Sequence, residues 1–338
     1  MIPLISVIMP VFNAEKFIST SIESVLQQSF LNFELIIIND GSTDHSEQLI
    51  LRYKDKRIRY VKHSINRGLI STLNEGLRYS AGDFIARLDA DDIAKPDRLF
   101  RQVQFLLRNP DHSICASSYD VINTNGRKKY RVFSPSLDIE IRTLLFFCNC
   151  ICHSSVMIRK NALQDNVYRQ AYQLCEDYDL WSRLIDQSKV AILSEPLIHY
   201  RLHNDNISMK NRLAMLSNVS RIHAYFLNHY GFSYTRDEFL IHHAFLSYNI
   251  VYLRRIGFQE LEKWIIKLVH MFYFKECADI HIAKRFLIRR WLSVCLKGGE
   301  YSRLIANPLF KYNRWQYITI FGGKILDNLI KRKNVLDF

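Results

Sequence analysis

A continuous apolar run, Leu4-Ile5-Ser6-Val7-Ile8-Met9, is followed after Pro10 to Asn13 by Phe17, Ile18, Ser21, Ile22, Val25 and Leu26, spaced three and four apart. The run has the pattern of a strand buried on both faces, and the spacing marks one face of a helix. The pair then repeats. Glu34-Leu35-Ile36-Ile37-Ile38 ends in the turn Asn39-Asp40-Gly41-Ser42, with a helix expected from about Asp44. A strand over 58–61, a helix over 69–79 and the run Asp83-Phe84-Ile85-Ala86-Arg87-Leu88 continue the alternation. This pattern constrains the chain to an α/β fold, Rossmann-like, with a mainly parallel sheet and right-handed crossovers. Ligands of such sheets bind beyond the carboxyl ends of the strands, so the loops at 10–13, 39–42 and 89–92 should face one crevice.

Residues 113–210 are less regular, with short β-like runs at 114–117 and 155–158 and a helix expected over 177–187. From 211 the pattern turns helical, which predicts two domains, 1–210 and 211–338. A chain of 338 residues that is 48% apolar can bury cores of that size, which excludes disorder. Charge separates the two parts: residues 1–210 carry 26 basic and 24 acidic side chains, residues 211–338 carry 20 and 9. Seven cysteines, an odd number, and a start without a basic segment leading into an apolar one predict a reducing, cytoplasmic setting without a disulfide framework. The uncharged stretches 143–158 and 239–253 are too short to span a bilayer.

Leu88-Asp89-Ala90-Asp91-Asp92 places three carboxylates in four residues at the end of an expected buried strand. Such charges repel unless a cation neutralises them, and carboxylate oxygens suit Mg²⁺ or Mn²⁺ with positions left for a diphosphate. The other strand exits supply Phe12 as a ring for base contact and Asp40 as an acceptor for a base N–H. Cys175-Glu176-Asp177-Tyr178-Asp179-Leu180-Trp181 opens a helix with acids, with Leu180, Trp181, Leu184 and Ile185 on its apolar face. Acids in a first turn suit the helix dipole, and one of them could also serve as a general base toward an acceptor hydroxyl.

Taken in order, residues 5–15, Ile38-Asn39-Asp40-Gly41-Ser42-Thr43-Asp44, Asn66-Arg67-Gly68, residues 86–92 with Pro96-Asp97-Arg98-Leu99, and Glu176-Asp177-Tyr178-Asp179-Leu180-Trp181 resemble the successive motifs of glycosyltransferase family 2. The resemblance covers about residues 3–208. It implies a GT-A fold, a nucleoside-diphosphate-sugar donor, UDP by preference over dTDP and GDP, and inversion at the anomeric carbon. By position, Pro10, Phe12, Asn13 and Glu15 would line the nucleoside pocket, Asp40 would bind the base and Arg67 would lie beside it. Asp89 would contact the ribose side, Asp91 would be the principal ligand of Mn²⁺ or Mg²⁺ with Asp92 in support, and Asp177 would be the catalytic base. Residues 153–160 resemble the segment shaping the acceptor side, and residues 200–208 resemble the closing motif near the diphosphate, where His203 would touch metal or phosphate.

Cys148, Cys150 and Cys152 alternate, so on a strand their thiols would share one face as small buried hydrophobes; no partner pair completes a zinc site. In the basic part, residues 283–296 set Phe286, Leu287, Trp291 and Leu292 among Lys284, Arg285, Arg289 and Arg290, as an interfacial helix would, and Lys331-Arg332-Lys333 adds charge. These features predict attachment to an anionic membrane surface at the inner face of the plasma membrane, suited to a lipid-linked saccharide acceptor in O-antigen, capsule or exopolysaccharide assembly. No nucleic-acid motif is present. A sugar-phosphate nucleotidylyltransferase would need a Gly-rich loop where Pro10-Val11-Phe12-Asn13 stands, and an oxidoreductase would need Gly-x-Gly-x-x-Gly there. A catalytically inactive sugar-nucleotide-binding homologue is the non-enzyme alternative, although every expected acid is present.

Overall fold

The computed structural model describes residues 3–164, 167–204, 212–275 and 278–300. Asp205 to Ser208 of the closing motif and the Lys331-Arg332-Lys333 cluster lie outside the described residues. By compactness the chain divides into one unit of residues 1–145 and 149–222 and another of 146–148 and 223–338.

The first unit is built on one sheet. Its described strands are β1 (Ile5–Val11), β2 (Phe33–Asn39), β3 (Ile58–Lys62), β4 (Phe84–Arg87), β5 (Ile93–Ala94), β6 (His112–Ile122), β7 (Lys128–Val132), β8 (Met157–Arg159) and β9 (Lys189–Arg201). Their order is β3-β2-β1-β4-β8-β6-β9-β5, with β7 paired to β6. Strands β1 to β4 are mutually parallel, as the repeated strand–helix pattern requires. The short β8 runs antiparallel between β4 and β6, which restores the common direction for β6 and β9, while β5 and β7 run against them.

All seven residues of β1 are buried, the outcome expected of an uninterrupted apolar run. Its odd-numbered side chains share a core with Ile18, Ile22 and Val25 of α1 (Ile18–Leu26). On the opposite face Ile8 meets α3 (Leu69–Tyr79) at Gly76, where an added Cβ would lie 2.6 Å from Ile8 Cγ2. Between them, α2 (Ser46–Ile50) is a short element after β2. The remaining α-helices among the unit's described residues are α4 (Arg98–Arg108), α5 (Asp138–Leu145), α6 (Lys160–Leu163) and α7 (Glu176–Leu184). One expectation fails: residues 148–152 form no strand but an irregular link between α5 and a 3₁₀ turn at His153–Ser155. The alternating thiols therefore share no strand face, and Cys150 Sγ points to the Ile141 carbonyl.

Helix α8 (Arg212–His229) contributes to both units, and α9 (Arg236–Leu246), α10 (Ile250–Ile256), α11 (Phe258–Lys275) and α12 (Ile280–Gly298) belong to the second. Thr235 and Glu238 form a capping box that starts α9, and Asp279 accepts from two backbone N–H groups to start α12. Within this unit Phe146 packs against Phe226, Phe232 and Phe272, and Phe147 stacks on Phe286 at 4.7 Å. Leu287 and Trp291 are fully buried, and Arg290 is buried over the Tyr248 ring at 4.0 Å. The expected interfacial helix at 283–296 thus spends its apolar face on the core of its own unit. Among the described residues of this unit, the apolar side chains left most open are Val251, Tyr273 and Phe274. No described helix is long and apolar enough to cross a membrane.

Candidate active site

The parallel register brings the ends of β1, β2 and β4 to one sheet edge. There the loops after β1 and β2 are stitched together: Asn13, Ala14 and Glu15 donate backbone N–H groups to Ser42, Ser46 and Asp44 at 2.8–3.0 Å. In return Asn13 Oδ1 accepts from Thr43 N–H and Glu15 Oε2 from His45 N–H. The His45 hydrogen bonds hold the Glu15 carboxyl below its ordinary range. Asn13 adopts a positive φ of 50° to make this exchange, which an asparagine tolerates. Pro10 is buried inside β1, whereas Phe12 is half exposed and open to a ligand.

Asp40 is nearly inaccessible and organises the next loop. Its carboxylate accepts from the backbone N–H groups of Arg67 and Gly68, both at 2.8 Å, and Oδ1 faces His63 Nδ1 at 2.6 Å. His63 Nε2 in turn faces Glu75 Oε2 at 2.7 Å, so a buried chain of polar groups ties the β2 exit to α3. Burial pushes the Glu75 carboxyl up, but hydrogen bonds from His63 and Tyr79 outweigh it and leave it below its ordinary value. The turn works because Gly41 has φ +69° and its missing Cβ would sit 2.6 Å from the Ile65 carbonyl carbon. The Arg67 side chain is half exposed beside Glu75.

The three carboxylates after β4 converge, with one oxygen from each of Asp89, Asp91 and Asp92 lying within 4.8 Å of the others. Each is held differently. Asp89 is gripped on both oxygens by the buried Arg87 guanidinium, and Ser154 Oγ bridges the pair. Asp91 Oδ2 meets His203 Nε2 at 2.7 Å, and the Asp91 carbonyl accepts from Arg201 Nε. Asp92 accepts from Arg201 N–H on Oδ1, while Oδ2 is buried with no hydrogen-bond partner among the described residues. Burial, then repulsion from Asp91 and Asp89, drives the Asp92 carboxyl well above its ordinary range, and Asp89 is raised by burial against the pull of Arg87. A buried orphan oxygen within an all-oxygen donor set under mutual repulsion fits a hard divalent cation.

Behind this cluster Arg98, fully buried, donates to the carbonyls of Arg87 and Val156 and to Gln102, joining α4 to the ends of β4 and the 3₁₀ turn. Burial, with the nearby Arg87 charge, pulls its guanidinium down to about 9 against the opposing charge of Asp92.

Helix α7 buries Leu180, Trp181 and Leu184 of the expected apolar face, with Ile185 buried at its C-cap and Tyr178 buried beside them, and this presents its acids in separate roles. Asp179 is clamped by Arg169 and Arg183 and serves packing. Asp177 accepts from Tyr178 N–H on Oδ1 and from Asn149 Nδ2 on Oδ2, both at 2.7 Å. Burial and its neighbour Asp177 raise the Glu176 carboxyl to about 7, and Arg87 and Asp89 are close enough to act on the same group. His153 Nε2 meets the Tyr168 hydroxyl at 2.8 Å, and burial holds the imidazole neutral, well below its usual pKa. Sequence reasoning missed Arg87, Ser154, His63 and Asn149; Arg87, a lone charge inside an apolar strand run, carried a visible signal.

The family model for glycosyl transferase family 2 matches residues 6–166. An uncharacterized glycosyltransferase of Haemophilus influenzae is 35% identical over 221 residues, spanning 61% of this chain and 68% of its own. The chain belongs to glycosyltransferase family 2. Two Escherichia coli relatives are each 33% identical. One, the UDP-Glc:alpha-D-GlcNAc-diphosphoundecaprenol beta-1,3-glucosyltransferase WfgD, aligns over 61% of this chain and 79% of its own. The other, the O-antigen biosynthesis glycosyltransferase WbnJ, aligns over 62% and 84%. A crystal structure of S. aureus TarS in complex with UDP-GlcNAc superposes with a TM-score of 0.59 at 18% identity, covering 87% of this chain and 88% of that one. The likeness shows the GT-A fold expected from the sequence. Family membership also decides against the nucleotidylyltransferase reading: the protein is a glycosyltransferase.

Proposed function

We propose that this family 2 glycosyltransferase moves a hexose-type sugar from a UDP donor, with inversion, onto a lipid-linked saccharide in surface-polysaccharide assembly. The observation that carries the reading is the convergence of Asp89, Asp91 and Asp92 on one sheet edge with the acid-bearing start of α7 in electrostatic range. Phe12, Asn13, Glu15, Asp40 and Arg67 frame the nucleoside side, with Pro10 beneath them, and Asp89 faces the ribose.

Asp91, with Asp92 in support and His203 beside it, would hold Mg²⁺ or Mn²⁺. Bound there, the cation supplies positive charge to the departing diphosphate. Asp177 takes the proton of the acceptor hydroxyl, whose oxygen then bonds to the anomeric carbon from the face opposite the leaving group. The bond from that carbon to the diphosphate oxygen breaks, and its electron pair leaves with UDP. The UDP-Glc donor and diphosphoundecaprenol-linked acceptor named for WfgD favour this substrate class.

The excess of basic side chains after residue 210 and the open Val251, Tyr273 and Phe274 support attachment to the anionic inner face of the plasma membrane. The test is transfer from a panel of radiolabelled UDP-sugars to a synthetic GlcNAc-diphosphoryl lipid, with and without Mn²⁺. Metal-dependent product of inverted configuration is expected. A retained configuration, or equal transfer in excess EDTA, would remove the mechanism.

A further inference from the structure

Asn149 lies in the irregular link between α5 and the 3₁₀ turn, between two of the alternating cysteines, and it is exposed. Its Nδ2 donates to Asp177 Oδ2 at 2.7 Å, and its Oδ1 accepts from Ile151 N–H at 3.2 Å. The second bond orients the amide, since it engages the carbonyl end and leaves the N–H end facing the acid. Each Asp177 oxygen thus accepts one hydrogen bond, Oδ1 from Tyr178 N–H and Oδ2 from Asn149, which fixes the plane of the carboxylate and leaves each oxygen a further lone pair for an acceptor hydroxyl.

We propose that Asn149 is a positioning residue for sugar transfer, fixing the orientation of the Asp177 carboxylate toward the acceptor and keeping it ready to accept a proton. The inference rests on the reading of Asp177 as the base. Several ionisable groups act on this carboxylate: Glu176 and Cys175 beside it in the chain, Tyr168 before α7, and Arg87 at the end of β4. Burial drives the Asp177 carboxyl toward its neutral form, and the hydrogen bonds from Tyr178 N–H and Asn149, with the Arg87 charge, oppose that. A neutral amide donor stabilises the carboxylate without adding a proton that could be transferred. A purely structural role would show in stability instead, and an exposed side chain-to-side chain hydrogen bond contributes little to stability.

The direct test needs no substrate. In full-length protein with ¹³C-labelled aspartate carboxyls, the Asp177 resonance is assigned by its loss in Asp177→Asn and titrated in wild type, Asn149→Ala and Asn149→Asp. The expected midpoint for Asp177 rises by half a unit or more in Asn149→Ala and further in the isosteric Asn149→Asp, which sets a second carboxylate against it. Kinetics with the UDP-sugar and GlcNAc-diphosphoryl lipid should show kcat reduced at least tenfold in Asn149→Ala, its acid limb moved to higher pH, and the donor KM within twofold of wild type. An unchanged Asp177 midpoint in both variants would overturn the proposal. Undiminished transfer by Asp177→Asn would instead overturn the base assignment on which it stands.

Discussion

Arg87 neutralises Asp89 from inside the sheet, and its replacement would leave a carboxylate facing two others. Arg87→Met should therefore cost about 3 kcal/mol in urea unfolding, the lower part of the range for a broken buried pair because Asp89 is partly open. Asp91→Ala should abolish Mn²⁺-dependent UDP binding by calorimetry while leaving the fold intact, since its side chain is partly exposed and supports no strand pairing. Asp177→Asn should keep UDP affinity and lower transfer by about 10²- to 10⁴-fold, the range for loss of a general base; near wild-type transfer would remove the base assignment. The acids themselves were legible, because they stand at the ends of strongly patterned strands and at the start of a patterned helix, in the order of the family's motifs. Their partners were not. Ser154 lies 65 residues from Asp89 and Asn149 lies 28 from Asp177, and contacts of that separation leave no local pattern.

At the scale of elements, β1, α1, β2, β3, α3, β4 and α7 were readable because each has a clear period and a fully or singly buried face. The link at 148–152 misled because alternation of small apolar side chains resembles a strand even where no neighbour offers a ladder. The stretch at 283–296 misled for a different reason: aromatic and basic residues alternate equally in an interfacial helix and in one whose arginines lie over aromatic rings, as Arg290 does over Tyr248. The turn after β2 gives a sharper test. Gly41→Ala places a methyl group against the backbone of residues 65 and 66 at a positive φ, so a loss of at least about 1–2 kcal/mol is expected from the backbone conformation alone. UDP affinity should fall with it, because the same loop places Asp40 and Arg67; unchanged affinity would separate the turn from the nucleoside site.

For the molecule as a whole, the helical unit should lose stability in acid through its buried histidines. In the helical unit His242 is buried against His223, and Trp264 Nε1–H donates to its Nδ1. Burial, then the neighbouring His243, lowers His242 to about 3, and burial holds His223 well below its usual value. An unfolded histidine takes up a proton near pH 6.5, which the folded groups refuse, so the unfolded state binds more protons below that pH. Stability of this unit should thus be full above about pH 6.5 and fall toward pH 3, by up to about 1.4 kcal/mol per pH unit for each such histidine. His242→Phe should flatten the dependence in thermal unfolding between pH 6.5 and 4; an equally steep slope in the variant would assign the acid sensitivity to other groups.

The most direct measurement is thermal unfolding of the full chain with UDP, dTDP, GDP and CMP, each with and without Mn²⁺, in wild type and Asp91→Ala. A ligand at about a hundred times its dissociation constant stabilises by about 2.7 kcal/mol, a readily measured shift. The expected result is a rise with UDP that requires Mn²⁺ and is absent in Asp91→Ala. A rise independent of the metal, or one that survives in Asp91→Ala, would contradict a donor site built on these three carboxylates.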